Sequence, residues 1–461
     1  MPSARDCVPR PRSSISVSGP YATSSDWTIP ISSGDSCGWP ADGALLFASR
    51  VALPHPMRGR AATPTLATAA AAVLLTVALG GCGGSKSATS LPSAAPTTPS
   101  AAATTAPTAP QPPTGGPVPR GFNPVSFTAI SADQFWLLGD APCSTAVCTS
   151  IVRTSDGGKH FVGIPAPRVP LTNSNDETGS IDTLRFASPL VGYAFNSQSF
   201  RSAGTPSGPI WETTDGGAHW QRLAVQGVLA FATGGGYLYL VAGSCRSGVC
   251  HDPALRRAAL GTTDWSSTPL PVGGVDAIVL LAVHGTSVWL SVSPTSGVHP
   301  NQVLLTSTDG GASFTTGKSP CTNGLGGDLE AASTSVLWAV CPTGMLAGAL
   351  RSTDGGATWA TLNFGRELSN GARIAPADAS TAVISTGDQT QLLRTTDRGG
   401  TFTQVYRPRA GWWNFIGFTD AQTGSGIRIV AGQARSSLGT PLADLMRSSD
   451  GGASWAMTNV G

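Results

Sequence analysis

RTSDGGKHF (153–161), ETTDGGAHW (212–220), TSTDGGASF (306–314), RSTDGGATW (351–359), RTTDRGGTF (394–402) and RSSDGGASW (447–455) are one nine-residue motif written six times. A seventh copy, GTTDWSS (261–267), keeps Thr262 and Asp264 but loses the second glycine and the closing aromatic. The aspartates fall at 156, 215, 264, 309, 354, 397 and 450, so neighbouring copies lie 43 to 59 residues apart. A period of about 45 residues suits a four-stranded blade. Ahead of each motif the chain reads as a strand ending in a small-residue turn, an aromatic-rich second strand, and a third strand running into the aspartate. Such second strands include Phe135-Trp136-Leu137-Leu138, Tyr237-Leu238-Tyr239-Leu240 and Leu337-Trp338-Ala339-Val340. A fourth strand, such as Trp220-Gln221-Arg222-Leu223, follows it. One such sheet cannot bury both apolar faces alone, so the repeats must close on one another. The expected fold is all-β: a seven-bladed β-propeller of four-stranded antiparallel blades, preceded by a signal segment and a disordered linker.

Composition agrees. Of 461 residues, 57 are Gly and 36 are Pro, while only 12% are charged, which suits short strands and tight turns rather than long amphipathic helices. A formal net charge of +2 gives no electrostatic drive toward nucleic acid.

The chain divides into four stretches. Residues 57–82 carry a short basic run, Met57-Arg58-Gly59-Arg60, an apolar stretch from Ala61 to Leu79, and Leu79-Gly80-Gly81-Cys82. This resembles the bacterial lipoprotein signal, in which a small-residue pair precedes a cysteine that takes lipid on its thiol and becomes the new N-terminus. An uncleaved transmembrane helix is the rival, disfavoured by marginal length and by the linker that follows. Residues 1–56 then lie upstream of a good start codon and read as a non-domain segment. Residues 83–120 are Pro, Ser, Thr and Ala, too poor in large apolar side chains to offset the entropy of ordering, and read as a disordered tether. Residues 121–461 hold the propeller.

With Cys82 assigned to lipid, six cysteines remain in 83–461: Cys143, Cys148, Cys245, Cys250, Cys321 and Cys341. Two neighbouring pairs share the spacing Cys-x4-Cys. An exported protein meets an oxidising compartment, so disulfides are expected; zinc is the rival reading, but no histidines stand at finger spacing. No metal and no cofactor are expected.

The pattern Ser/Thr-x-Asp-Gly/Arg-Gly-x-x-Trp/Phe resembles the Asp-box, or BNR, repeat of sialidases, sortilin-type receptors and photosystem II assembly-factor propellers, over about residues 122–461. The resemblance implies that the boxes sit on the turn between third and fourth strands, away from the ligand face. The chemistry is structural too: the carboxylate accepts backbone N–H groups of its own turn, glycine tolerates positive φ, and the aromatic packs between blades. Asp156, Asp215, Asp264, Asp309, Asp354, Asp397 and Asp450 are therefore assigned to folding.

Function is expected on the opposite face, where strand alternation puts the Cys-x4-Cys hairpins, the loops near 196–209, 293–300 and 431–443, and the polar run Asn173 to Glu177. Charged and aromatic residues at the openings of first strands would ring the channel mouth: Asp182, Asp276, Asp328, Glu330, Arg373, Arg407, Arg409, Trp412, Trp413 and Asn414. A solvated rim is the bland alternative.

A sialidase-like hydrolase needs an acid/base carboxylate, a tyrosine nucleophile with an activating glutamate and, in that family, three arginines on the substrate. The chain has four glutamates, Glu177, Glu212, Glu330 and Glu367, and Tyr193, Tyr237 and Tyr239 read as core, leaving Tyr406. The Arg-Ile-Pro signature of sialidases is missing; Arg373-Ile374-Ala375-Pro376 departs from it. No other catalytic motif occurs. The sequence thus predicts a non-catalytic scaffold at the cell surface, lipid-anchored to the outer face of the plasma membrane, with a protein partner in the cell envelope or a glycan as ligand. A glycan-binding or sialidase-like protein is the alternative.

Overall fold

The computed structural model describes residues 111–461 except 145–147, 173–178, 198–207, 247–248, 295–301, 323–325, 388–390, 409, 431–435 and 437–438, and without the side chains of 276–278 and 294. Cys82, the signal segment, Asn173 to Glu177 and Arg409 thus lie outside the described residues.

Blade 1 consists of β1 (Asn123–Ala129), β2 (Phe135–Asp140), β3 (Thr149–Thr154) and β4 (Val162–Ile164), and blade 2 of β5 (Thr183–Phe186), β6 (Gly192–Phe195), β7 (Trp211–Thr213) and β8 (Gln221–Arg222). Blade 3 holds β9 (Val228–Gly234), β10 (Tyr237–Arg246), β11 (Val249–Ala259) and β12 (Ser266–Pro269). Blade 4 holds β13 (Gly274–His284), β14 (Ser287–Pro294), β15 (Val303–Ser307) and β16 (Thr315–Lys318). In blade 5, β17 (Asp328–Ala331), β18 (Leu337–Pro342), β19 (Leu346–Ser352) and β20 (Ala360–Thr361) are joined by an extra strand, β21 (Leu368–Ser369), paired to β19. Blade 6 is β22 (Ile374–Pro376), β23 (Ala382–Ser385), β24 (Leu392–Thr395) and β25 (Thr403–Tyr406). Blade 7 is β26 (Trp412–Phe418), β27 (Gly424–Ile429), β28 (Ala443–Ser448) and β29 (Ala456–Thr458). The protein is a seven-bladed β-propeller of antiparallel blades, and no α-helix occurs among the described residues.

The second strands read as unbroken apolar runs because both faces are buried, and alternation deals their side chains to two neighbours. Leu337 and Ala339 pack toward blade 4 with Trp289 and Leu304, while Trp338 and Val340 pack toward blade 6 with Ile384 and Leu393. The same split occurs in β2: Trp136 and Leu138 face blade 2, whereas Phe135 and Leu137 join Ile427, Ile429 and Leu445 of blade 7. That last cluster closes the ring. Polar groups reinforce it, with the buried Asn123 and Asp140 of blade 1 hydrogen-bonded to each other and to Thr440 ahead of β28.

Six motif turns share one geometry. Asp354 Oδ1 accepts from Ser352 Oγ at 2.8 Å and from the backbone N–H of Thr358 at 2.9 Å, and Oδ2 accepts from the Thr358 hydroxyl. Ser352 Oγ in turn accepts the N–H of Gly356. The same bonds recur around Asp309, Asp397 and Asp450, and around Asp156 and Asp215 with the ring Nδ1 of His160 and His219 on Oδ2 in place of the hydroxyl. They hold the Asp354, Asp397 and Asp450 carboxyls down at about 2. Both glycines of each turn take positive φ, and where the first is Arg398 its φ of 65° carries the strain glycine avoids.

The residue after each aspartate donates its N–H to the turn between first and second strands, as Gly355 does to Ser335 and Gly451 to Gln422, so both sets of turns share one face. The closing aromatic wedges against the preceding blade: Trp220 beside Trp136 and Ile164, Phe314 beside Leu255, Trp359 beside Trp289. The opening arginine latches the following blade, Arg351 to the Ala379 carbonyl, Arg394 to Gly451 and Arg447 to Ala132.

Blade 3 departs from this scheme, which corrects the grouping of Asp264 with the other boxes. Asp264 is exposed, and the turn is tied instead by Thr262, whose N–H and hydroxyl both reach the Ala259 carbonyl. With Trp265 and Ser266 where the other turns have their two positive-φ positions, the chain does not make the turn that brings the carboxylate back onto its own backbone. Trp265, one residue beyond, packs with Val191 and Leu223 of blade 2, where the closing aromatic would otherwise stand.

The linker reading also needs adjustment at its end. Gly116 exchanges two backbone hydrogen bonds with Gly163 of β4, Arg153 donates to the Pro113 carbonyl, and Val118 joins the cluster closing blade 7 on blade 1. An otherwise open outer strand recruits this Pro-rich segment, a partner that composition does not reveal.

Candidate binding face

The face opposite the box turns carries the irregular features, and covalent bonds pin three of them. Cys143–Cys148 closes the loop between β2 and β3, and Cys245–Cys250 joins directly opposed residues of the β10–β11 hairpin. Cys321–Cys341 ties the connection between blades 4 and 5 to the end of β18. These pairs are the six cysteines that the sequence left over for disulfides.

Backbone pairing adds further bracing here. The tip of the β10–β11 hairpin leans onto blade 4, where Val249, Cys250 and His251 pair with Asp276, Val275 and Gly274, so that blades 3 and 4 share one sheet. Asp276 is thus placed by its backbone in this seam. In blade 5, Leu346 and Ala347 pair with Ser369 and Leu368 of β21, and the turn between β18 and β19 closes through Thr343 N–H to the Leu346 carbonyl, with Gly344 at positive φ. The tip of that hairpin presents Met345, which is 87% exposed, beside the partly exposed Leu346. Asn370 N–H holds the Met345 carbonyl from the far side.

The residues expected at the channel mouth separate into several roles. Asp328 receives Arg373 Nη1 at 2.8 Å, joining blade 5 to the start of blade 6. Glu330, two residues further along β17, lies on the same side of the strand. Its carboxyl is pushed up to about 7, chiefly by its enclosure and further by Asp328, against the pull of Arg185 and Arg373. Arg185 of β5, like Glu330 of β17, stands on the first strand of its blade. Both side chains are exposed, so solvent screens the push on Glu330.

Asp182 is a loop clamp. It accepts the backbone N–H of Ser197 at 2.7 Å, the Ser197 hydroxyl at 3.0 Å and the Thr183 hydroxyl at 2.7 Å. Trp412 is 39% exposed and Asn414 is exposed while donating to the Val125 carbonyl of blade 1; Arg407 is exposed. Trp413 is corrected to core: only 3% exposed, it packs on Tyr406, Met446 and Trp455, because alternation turns it away from its two neighbours and into the blade.

Arg185 and the Met345–Leu346 tip were not singled out from the sequence. A signal for the first exists, since Arg185 interrupts an otherwise apolar first strand between Leu184 and Phe186. Exposure of Met345 depends on the hairpin projecting, which composition cannot supply. Glu212 and Tyr193, cross-strand partners, are buried inside blade 2, where burial raises both pKa values and no substrate could reach them. No cluster of metal-ligating residues occurs among the described residues.

No protein-family model and no curated protein matches this sequence. Among solved structures the chain is similar to YCF48 bound to D1 peptide (14% identity, TM-score 0.44, covering 75% of this chain and 99% of that one). It is similar also to YCF48 from Cyanidioschyzon merolae (14% identity, TM-score 0.45, covering 72% and 97%). Catalytically inactive virginiamycin B lyase from Staphylococcus aureus with quinupristin aligns as well (13% identity, TM-score 0.45, covering 67% and 92%). At such identities and scores these likenesses assign no role to any residue, and the seven blades stand on the strand pairing of this chain.

Proposed function

We propose that this chain is a non-catalytic interaction scaffold, exported and held to the outer face of the plasma membrane by lipid on Cys82, that binds a protein partner in the cell envelope through the face opposite its Asp boxes. The observation that carries the reading is where rigidity and exposed apolar surface coincide. Three disulfides, the extra strand β21 and the shared sheet of blades 3 and 4 brace this face, and Met345, Leu346, Trp412 and Leu442 expose large apolar side chains on it. Fixing loops before contact lowers the ordering entropy that association costs, and rigid side chains of this kind dominate protein–protein contacts. A hydrolase would need an accessible acid beside a nucleophile, which the Glu212–Tyr193 pair inside blade 2 does not offer.

The test is in-cell crosslinking and pull-down of the full anchored chain beside a Met345→Asp, Trp412→Ala variant. Retention of one envelope protein by the parent and its loss from the variant is expected; identical capture by both, or none by either, overturns the docking assignment. Palmitate labelling of the parent and not of Cys82→Ser is expected for the anchor, and label persisting on Cys82→Ser refutes it.

A further inference from the structure

Residues 112–118, just ahead of β1, lie across the outer rim of three blades. Pro112 packs on the box turn of blade 2, where a Cβ placed on Gly216 would come within 2.8 Å of the Pro112 Cα. The Pro113 carbonyl accepts Arg153 Nη2 at 2.8 Å, and Gly116 exchanges backbone hydrogen bonds of 2.8 and 2.9 Å with Gly163 of β4 in blade 1. Val118 then joins Val460 on the cluster between blades 7 and 1, and a Cβ on Gly461 would stand 3.0 Å from its Cγ1.

Blade 1 is cut to receive this segment. The residue four positions before each box aspartate pairs with one residue of the outer strand: Trp211 with Arg222, Leu305 with Thr316, Leu350 with Thr361, Leu393 with Gln404 and Met446 with Met457. At the same register blade 1 pairs Val152 with Gly163. Gly163 takes no positive φ, so its backbone does not require glycine. A Cβ there would lie 2.8 Å from the Pro117 carbonyl oxygen, so the side chain that five other blades carry is missing where the segment passes. The segment carries a matching notch, since a Cβ on Gly115, whose φ is 83°, would lie 2.7 Å from Val162 Cγ2. The span it crosses includes the junction of blades 7 and 1, where the chain does not run on from one blade to the next.

We infer that residues 112–118 are a clasp, seated in a peptide groove formed by β4 and the blade 2 box turn, that fastens blades 2 and 1 to blade 7 and so closes the ring. The occupant this groove fits is an extended Pro- and Gly-rich chain, held by backbone bonds to a strand edge that would otherwise stand open. The clasp stands without the lipid reading; with lipid on Cys82, tension on the tether loads the clasp before it reaches β1.

Two variants of the full chain test it. Gly163→Thr, which matches Thr316 and Thr361 of other blades, blocks the groove, whereas Gly115→Val evicts the clasp and leaves the groove open. Threonine suits a strand better than glycine, so on blade 1 alone the first change would raise the midpoint of thermal unfolding; loss of the clasp should lower it. Hydrogen exchange at the Gly116 amide should quicken about ten-fold or more in both variants, while Thr114→Val, at an exposed position between the contacts, should match the parent. A synthetic peptide of residues 111–120 in excess should slow exchange at the Gly163 amide of Gly115→Val. It should leave the parent, whose groove is filled in cis, and Gly163→Thr, whose groove is blocked, as they were. A midpoint that rises with Gly163→Thr, unchanged exchange at Gly116 in both variants, or a peptide that fails on Gly115→Val or acts on all three chains alike overturns the inference.

Discussion

On the box face six blades hold the aspartate by the same backbone and hydroxyl bonds at the same offsets, with His160 and His219 standing in for the last hydroxyl, whereas on the opposite face the closures among the described residues differ in kind. One connection there is closed by a disulfide between cysteines five positions apart, another by a hairpin leaning on its neighbour, another by an added strand, and another by a disulfide from the link between two blades. A ring of blades needs each to meet its neighbours in the same way, so whatever recurs at every period serves closure. What does not recur is free to answer some other demand. By that division the aspartates, the most conspicuous residues in the sequence, belong to folding.

The largest effect that would sharpen this contrast lies on the box face. Trp455 closes the box of blade 7, packs on Trp413 and Phe418, and donates its indole N–H to the Gly452 carbonyl. Trp455→Ala should cost about 3–5 kcal/mol of stability by leaving a cavity between blades 6 and 7, read as a lowered urea midpoint, while partner capture at a temperature where the variant is folded stays unchanged. Loss of capture from a fully folded variant would break the division between the faces. Next in size is the Cys321–Cys341 bridge, which closes a loop across the opposite face. Cys321→Ser with Cys341→Ser should cost about 2–4 kcal/mol and also weaken partner capture, because the Met345 hairpin loses its brace. Unchanged capture would mean that rigidity there serves stability alone.

The box carboxyls set the acid limit of the fold. Asp354, Asp397 and Asp450 titrate at about 2 in the folded chain, below the usual carboxylate range, so their contribution is complete above about pH 4 and is lost as pH falls toward 2. The midpoint of thermal unfolding should fall steeply across that interval, and replacing Asp450 with Asn should flatten the fall. An equally steep fall in the variant would deny the box carboxyls this role.

Periodicity made the blades legible, since the motif spacing marks each third-to-fourth-strand turn and the aromatic runs mark each second strand. It failed where the repeat fails. Blade 3 keeps Asp264 without the geometry around it, and only packing shows that Trp265 has taken over the wedge. The Gly116–Gly163 bridge was hidden because a Pro-rich segment looks the same whether or not an open strand edge awaits it. At the channel, position along the first strand located Asp328, Glu330 and Arg373 but misjudged Trp413, because the two-residue period that separates inward from outward side chains needs a known register, and a bulge shifts it in β26.

The smallest effect concerns Glu330, where channel and fold meet. Its folded-state carboxyl sits at about 7, above the ordinary glutamate value, so the folded chain holds this proton more tightly than the unfolded one. That contribution is fully present below the unfolded value, near pH 4, and is lost as pH rises through 7. Glu330→Gln, which keeps the shape and cannot ionise, should therefore track the parent near pH 4 and below, and melt at an increasingly higher temperature than the parent as pH rises from 4 through 7. Asp328→Asn should move the Glu330 titration downward, since it removes the like charge that helps hold the proton. If Glu330→Gln tracks the parent from pH 5 to pH 9, the carboxyl titrates as freely as one in open solvent, and its surroundings hold no proton on it.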